Sequence, residues 1–178
     1  MTADDSTLAR RAAQGDGDAF GELVCRYQSV IFNVALRLLG DAHTAEDAAQ
    51  ETFIRAYRFI ARFEPERPIG PWLKKIAVNV CLNLLARHAD LPLAANHDAP
   101  APDPGPESQA VEQEFNRQVR AAILSLPPRY RAAIELRHFQ NLSYAEMAEA
   151  LRHPLSDVKS DLFRARKLLA QQLKDLQP

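Results

Sequence analysis

Ser143-Tyr144-Ala145-Glu146-Met147-Ala148-Glu149-Ala150-Leu151-Arg152-His153-Pro154-Leu155-Ser156-Asp157-Val158-Lys159-Ser160-Asp161-Leu162-Phe163-Arg164-Ala165-Arg166-Lys167 is the stretch whose pattern decides the architecture. Ser143 and Glu146 make a capping box, in which a hydroxyl and a carboxylate satisfy the free N–H groups of a helix start. Met147, Ala148 and Leu151 then fall on one helix face. Arg152-His153-Pro154 interrupts the pattern, and a longer helix from Ser156 carries Val158, Leu162, Ala165, Leu168 and Leu169 on its apolar side. A short helix, a tight turn and a longer basic helix form a helix-turn-helix arrangement.

On that last helix Ser156, Lys159, Ser160, Phe163, Arg164 and Lys167 share the face opposite the apolar one, with Arg166 beside them. Arg and Lys suit phosphates and guanine, Ser a phosphate, and Phe a thymine methyl group, so the face fits a DNA major groove. A solvated charged face on a packing helix is the other reading. Charge distribution favours DNA. The net charge is −1, yet from Arg117 onward eleven Lys and Arg stand against six Asp and Glu.

Upstream, Leu126-Pro127-Pro128 ends a helix that begins near Ser108. The next helix starts at the prolines and carries Tyr130, Ala133, Ile134, Leu136 and Phe139. Residues 90–107 hold five of the twelve prolines and almost no large apolar side chain after Leu93. Such a segment cannot bury enough surface to offset its ordering entropy, and it reads as an acidic, extended linker.

A second helical unit precedes the linker. Phe20, Leu23, Val24, Tyr27, Ile31, Val34, Ala35 and Leu38 line one face of a helix over 18–39, with Asp18 as its cap and Gly40 just past its end. Another helix is expected from Thr44, capped by Thr44 and Asp47, to about Ala61. Three prolines and a glycine break the chain over 63–71. A helix from Pro71 then carries Trp72, Leu73, Ile76, Ala77, Val80, Leu84 and Leu85, and a short one is expected over residues 5–13. The expected fold is all-α in two domains, 1–89 and 108–178, joined by the linker 90–107.

Composition narrows the function. No apolar run approaches the ~20 residues of a bilayer span, and the acidic start Met1-Thr2-Ala3-Asp4-Asp5 is unsuited to a signal peptide, so a cytoplasmic protein is expected. Cys25 and Cys81 sit in apolar patterns and read as buried thiols. The five histidines show no metal-ligand spacing, and no cofactor is expected. With no nucleophile–base pair and no Gly-rich phosphate loop, an enzyme is the least favoured class.

Thr44-Ala45-Glu46-Asp47-Ala48-Ala49-Gln50-Glu51-Thr52-Phe53-Ile54-Arg55-Ala56-Tyr57, together with Ala19-Phe20-Gly21-Glu22-Leu23-Val24 and Tyr27, resembles region two of the sigma factors of bacterial RNA polymerase. Trp72-Leu73-Lys74-Lys75-Ile76-Ala77-Val78-Asn79, with Phe63 before it, is similar to the segment that captures and melts the −10 element. Leu126-Pro127-Pro128-Arg129-Tyr130-Arg131, Ser143–Ala148 and Val158–Arg166 resemble region four. Two motif-bearing domains in this order are those of the small extracytoplasmic-function (ECF) sigma factors. The resemblance implies that Glu46, Asp47, Gln50, Glu51, Phe53 and Tyr57 bind the clamp helices of the polymerase β′ subunit. It implies that Arg62, Phe63, Arg67, Trp72, Lys74, Lys75, Asn79 and Asn83 read −10 DNA. Arg129, Tyr144, Ser156, Lys159, Ser160, Phe163, Arg164, Arg166 and Lys167 would read the −35 element, with region four also meeting the β flap. An anti-sigma factor is implied as inhibitor.

Physical reasons stand beside several of these roles. Melting a promoter needs aromatic groups for unstacked bases, and stacking contributes ~1–3 kcal/mol per base. Phe63 and Trp72 could serve that need, though packing into a core is the stronger reading of both from the sequence. Glu46, Asp47, Gln50 and Glu51 offer an acidic surface to a basic partner while also favouring the helix N-terminal dipole. The chain departs from the family at Arg152, where a glycine is usual, and at Asp157 and Asp161, whose charges are expected to oppose phosphates and weaken −35 recognition. An adaptor that binds polymerase but reads DNA poorly, and a stand-alone helix-turn-helix regulator, are the alternatives.

Overall fold

A computed structural model describes residues 3–89 and 108–174, and the linker expected over 90–107 lies outside them. The described residues form eight α-helices and no strand, as the periodicity requires. In the first unit α1 (Asp5–Ala13), α2 (Gly17–Leu39), α3 (Ala42–Phe59) and α4 (Ile69–Ala89) pack together, with a 3₁₀ turn at Ile60–Arg62. The second unit contains α5 (Ser108–Ser125), α6 (Pro128–Ile134), α7 (Tyr144–Leu151) and α8 (Leu155–Lys174). Among the described residues no helix is long and apolar enough to cross a membrane.

Two helix starts differ from expectation. The carboxylate of Asp16, not Asp18, accepts the Ala19 N–H and caps α2. Asp41 caps α3 by accepting both the Thr44 N–H and the Thr44 hydroxyl, at 2.7 and 2.6 Å. Thr44 therefore lies inside the first turn. At α3 the Asp41 carboxylate is a stronger acceptor than the Thr44 hydroxyl it displaces, and α2 starts at Gly17, which leaves Asp18 inside the first turn and Asp16 at the cap. The expected capping box at Ser143 and Glu146 is present, with Glu146 accepting from the Ser143 N–H at 2.7 Å.

Gly40 ends α2 with φ +81°, and a β-carbon there would come within 3.0 Å of Leu124 on α5. Both the backbone sign and the close approach of the second unit call for glycine. Arg152 ends α7 in the same left-handed region, φ 55° and ψ 40°. A β-carbon costs about 1–2 kcal/mol in this conformation. Arg152→Gly is expected to raise the thermal midpoint by a few degrees, since relief of strain outweighs the added freedom of the unfolded chain. Thermal unfolding followed by circular dichroism reads the sign, and an unchanged or lower midpoint contradicts it.

Cys81 is buried in α4, and burial together with the nearby Glu135 charge pushes its thiol pKa up to about 12. Cys25, expected inside, is exposed. It lies two residues after the buried Leu23, which turns it to the far side of α2. After α6 the chain widens into one π-helical turn, Glu135–Phe139, closed by the Gln140 N–H on the Glu135 carbonyl at 3.1 Å. The widening holds Glu135 inward, 2% exposed, at the junction of the two units.

Candidate nucleic-acid interface

Burial of Val158, Leu162 and Ala165 against α6 and α7 fixes the rotation of α8. The opposite face points outward: Ser156, Lys159, Phe163, Arg164, Arg166 and Lys167 are exposed and Ser160 is half-buried. Phe163 is 69% exposed, far more than packing explains for so large an apolar ring. Arg166 reaches His138 on the π turn at 3.4 Å, and burial with the charges of Arg166 and Arg137 pushes that imidazole's pKa down. Tyr144 is half-buried, with Arg137 over its ring at 5.4 Å.

Asp161 requires a correction. Expected beside DNA as a repelling charge, it is only 3% exposed and is clasped by Arg129, whose Nε lies 3.0 Å from both carboxylate oxygens. Positions 158, 161, 162 and 165 form one helical stripe, so the signal was in the spacing. Arg129 keeps an exposed guanidinium edge, but its charge is spent on Asp161. Asp157 is exposed in the first turn of α8, where its charge suits the helix dipole and its Oδ1 accepts from the Ser156 hydroxyl at 3.1 Å.

On the first unit Phe63 and Trp72 meet at 4.9 Å between ring centroids. Phe63 is buried and Trp72 half-buried, and both line a cavity of about 450 Å³. Packing and pocket-lining are thus combined in one pair. Arg62 and Arg67 are exposed at the cavity rim, Arg67 held by Glu64 at 2.8 Å. Lys74 is half-buried and Asn83 exposed. Lys75 and Asn79 are half-buried and both are engaged by α7. The Lys75 ammonium lies 2.6 Å from Glu149 on α7, and the Asn79 amide donates to the Ala150 carbonyl at 3.2 Å. No local pattern announces these contacts.

A groove of about 530 Å³ between α2 and α3 forms a third surface, lined by Val24, Phe32, Glu46, Ala49, Gln50 and Phe53 among others. Glu46 and Gln50 are exposed along it, Asp47 is exposed outside its lining, and Glu51 is held by Arg55 at 2.6 Å. Tyr57 is half exposed and rests edge-on against Phe20, 5.0 Å between centroids. Ile54 and Phe59, not among the expected contacts, are also open apolar side chains on this helix. Charged rims beside exposed apolar side chains are what a protein-binding surface presents.

Residues 23–90 match the family described as Sigma-70 region 2, and residues 116–169 match Sigma-70, region 4. The chain is 34% identical to the ECF RNA polymerase sigma factor SigW of Bacillus subtilis, over 94% of this chain and 95% of that protein. It is equally 34% identical to the RNA polymerase sigma-H factor of Pseudomonas aeruginosa, over 97% and 95%. Among solved structures, CnrH in complex with the cytosolic domain of CnrY superposes with TM-score 0.66 at 28% identity, covering 96% of this chain and 97% of that one. The sigma factor RpoE of Bartonella quintana, in complex with the anti-sigma factor NepR, superposes with TM-score 0.67 at 22% identity over 87% of this chain and 96% of that one, a likeness of fold. The two helical units, their order and the long similarity agree: this chain belongs to the ECF sigma factors of bacterial RNA polymerase.

Proposed function

We propose that this sigma factor reads the −35 element with the outer face of α8 and captures the −10 strand with α4 and the Phe63–Trp72 cavity. It holds core polymerase through the α2–α3 groove. The observation that carries this reading is the outward face of α8, where Lys159, Phe163, Arg164 and Lys167 stand open around one exposed aromatic ring. A packing helix has no use for that ring; a major groove does. Control by an anti-sigma protein is supported by CnrH and RpoE, both of which were solved bound to another protein. The protein acts in the cytoplasm and does no chemistry itself; polymerase supplies it.

Run-off transcription with core polymerase on a promoter library tests the reading. Transcripts that depend on the protein and start downstream of one shared motif pair support it, and binding to core without initiation overturns it in favour of an adaptor. Lys159→Ala is expected to weaken duplex binding evenly across sequences. It should also reduce the slope of log affinity against log salt by about 0.9, one phosphate contact. An unchanged slope removes Lys159 from the DNA face.

A further inference from the structure

We infer that His138 is a further DNA contact of this chain, meeting a backbone phosphate together with Arg166 and taking up a proton as it binds. The inference rests on the assignment of the outer face of α8 to duplex DNA made above. Arg166 follows Lys159 by about two helical turns, so both stand on the same edge of that face. Its guanidinium turns towards the π-helical turn, where Nε and Nη2 both lie 3.4 Å from Nε2 of His138. His138 is itself exposed, and the π-helical turn ends a few residues before the start of α7. The first helix of a helix-turn-helix crosses the DNA backbone while the second enters the groove, so phosphates pass this corner.

The corner is cationic and has no counter-charge. Arg137 adjoins His138, its Nη1 donating to the Leu142 carbonyl at 2.8 Å and its guanidinium 5.4 Å from the centroid of Tyr144 on α7. The carboxylates of the packed elements are engaged elsewhere. Arg37 of α2 holds Glu135, Arg129 of α6 holds Asp161 of α8, and Glu146 and Glu149 of α7 are taken by Ser143 and Lys75. Asp157 accepts from Ser156 at the other end of α8. Among the described residues, then, no acid pairs with Arg137, His138 or Arg166. Burial and the charges of Arg166 and Arg137 push the His138 pKa down, so at neutral pH the ring is uncharged and its Nε2 lone pair accepts from Arg166. An arriving phosphate reverses this balance. Its charge favours the imidazolium, a proton from solution takes Nε2, and the imidazolium and guanidinium N–H groups then both donate to phosphate oxygens. The complex therefore holds more protons than the free protein, and affinity rises as pH falls. The gain is complete below the pKa of the free protein and is lost as pH rises through that of the complex.

Fluorescence anisotropy of the full chain on a randomised twenty-base-pair duplex, compared at about pH 7.5 and about pH 5.5, tests the contact, since a phosphate needs no particular sequence. Acid also adds positive charge elsewhere on the chain, so the readout is the gain in the wild type divided by the gain in His138→Gln. That ratio is expected to be about fivefold, within the roughly tenfold per pH unit that one proton permits. His138→Arg, charged at both pH values, is expected to bind about fivefold tighter than the wild type at the higher pH and to share the shallow pH dependence of His138→Gln. In acid the wild-type slope of log affinity against log salt should exceed that of His138→Gln by about 0.9, one phosphate contact. A purely structural role for His138 moves affinity without this steepening. A ratio near one overturns the inference, and so does a wild type that binds more weakly in acid, because protonation then only repels Arg166. A ratio near one with Lys159→Ala still lowering the salt slope leaves the α8 assignment standing. If Lys159→Ala, Arg164→Ala and His138→Arg are all without effect, that assignment fails and the inference falls with it.

Discussion

Replacing Arg131 by leucine is expected to lower the unfolding free energy of the chain by about 3 kcal/mol, a large share of the 5–15 kcal/mol typical of a folded domain. Arg131 is 8% exposed and its guanidinium caps two helices at once. Nη1 donates to the Leu38 carbonyl in the last turn of α2, and Nη2 to the carbonyls of Leu124 and Leu126, the latter at 3.1 Å, at the end of α5. The last carbonyls of a helix have no partner within it, and a cation there is favoured by the helix dipole. Burial pushes the pKa of Arg131 down, yet an arginine stays charged under all ordinary conditions. Leucine fills the volume and leaves three carbonyls facing apolar surface. Lysine keeps the charge without the planar fork that reaches separate acceptors, so Arg131→Lys is expected to cost roughly half as much. Urea unfolding of the two variants checks both numbers. A loss below about 1 kcal/mol for leucine would show that water satisfies the carbonyls unaided.

Asp161→Arg is expected to destroy −35 binding by unfolding region four locally, a loss of about 3 kcal/mol. Sequence reasoning points the other way, since removing an acid from a basic helix should tighten its hold on DNA. The geometry reverses the sign. Arginine at this position lodges a second cation under Arg129 at the boundary with the core, beside the buried Val158, Leu162 and Ala165. The exposed side of Arg129 permits solvent screening, which keeps the penalty nearer the lower end of the range for a broken buried pair. Asp161→Asn preserves shape and one acceptor oxygen and is expected to cost about 1–2 kcal/mol. Thermal unfolding alongside duplex binding separates the two accounts. Tighter binding by Asp161→Arg with an unchanged midpoint would restore the reading of Asp161 as a DNA-facing charge.

Much of the site was legible because helices carry their packing in their spacing. The apolar stripes of α2 and α8, the stop at Gly40 and the capping box at Ser143 all lie within a few residues of the features they specify. The outward face of α8 followed from the same arithmetic, because burial of Val158, Leu162 and Ala165 leaves Lys159, Phe163 and Arg164 no other direction. Where competing local solutions existed, pattern reading misplaced them. Asp16 and Asp41 displaced the expected caps, and Asp161 was read by its charge when its position on the apolar stripe was the better guide.

Local order, then, was written in the amino-acid sequence: eight helices, their inward faces, two units in family order and a basic reading helix. Folding in three dimensions settled what that order left open. Arg37 meets Glu135 across 98 positions of chain, Asn79 meets Ala150 across 71, and Arg131 joins the ends of α2 and α5. Such pairs have no periodicity, because the chain between them sets no rotation or spacing on the groups that meet. Their energy exists only once both domains present formed surfaces, and at that point α4 of the first unit meets the acidic edge of α7.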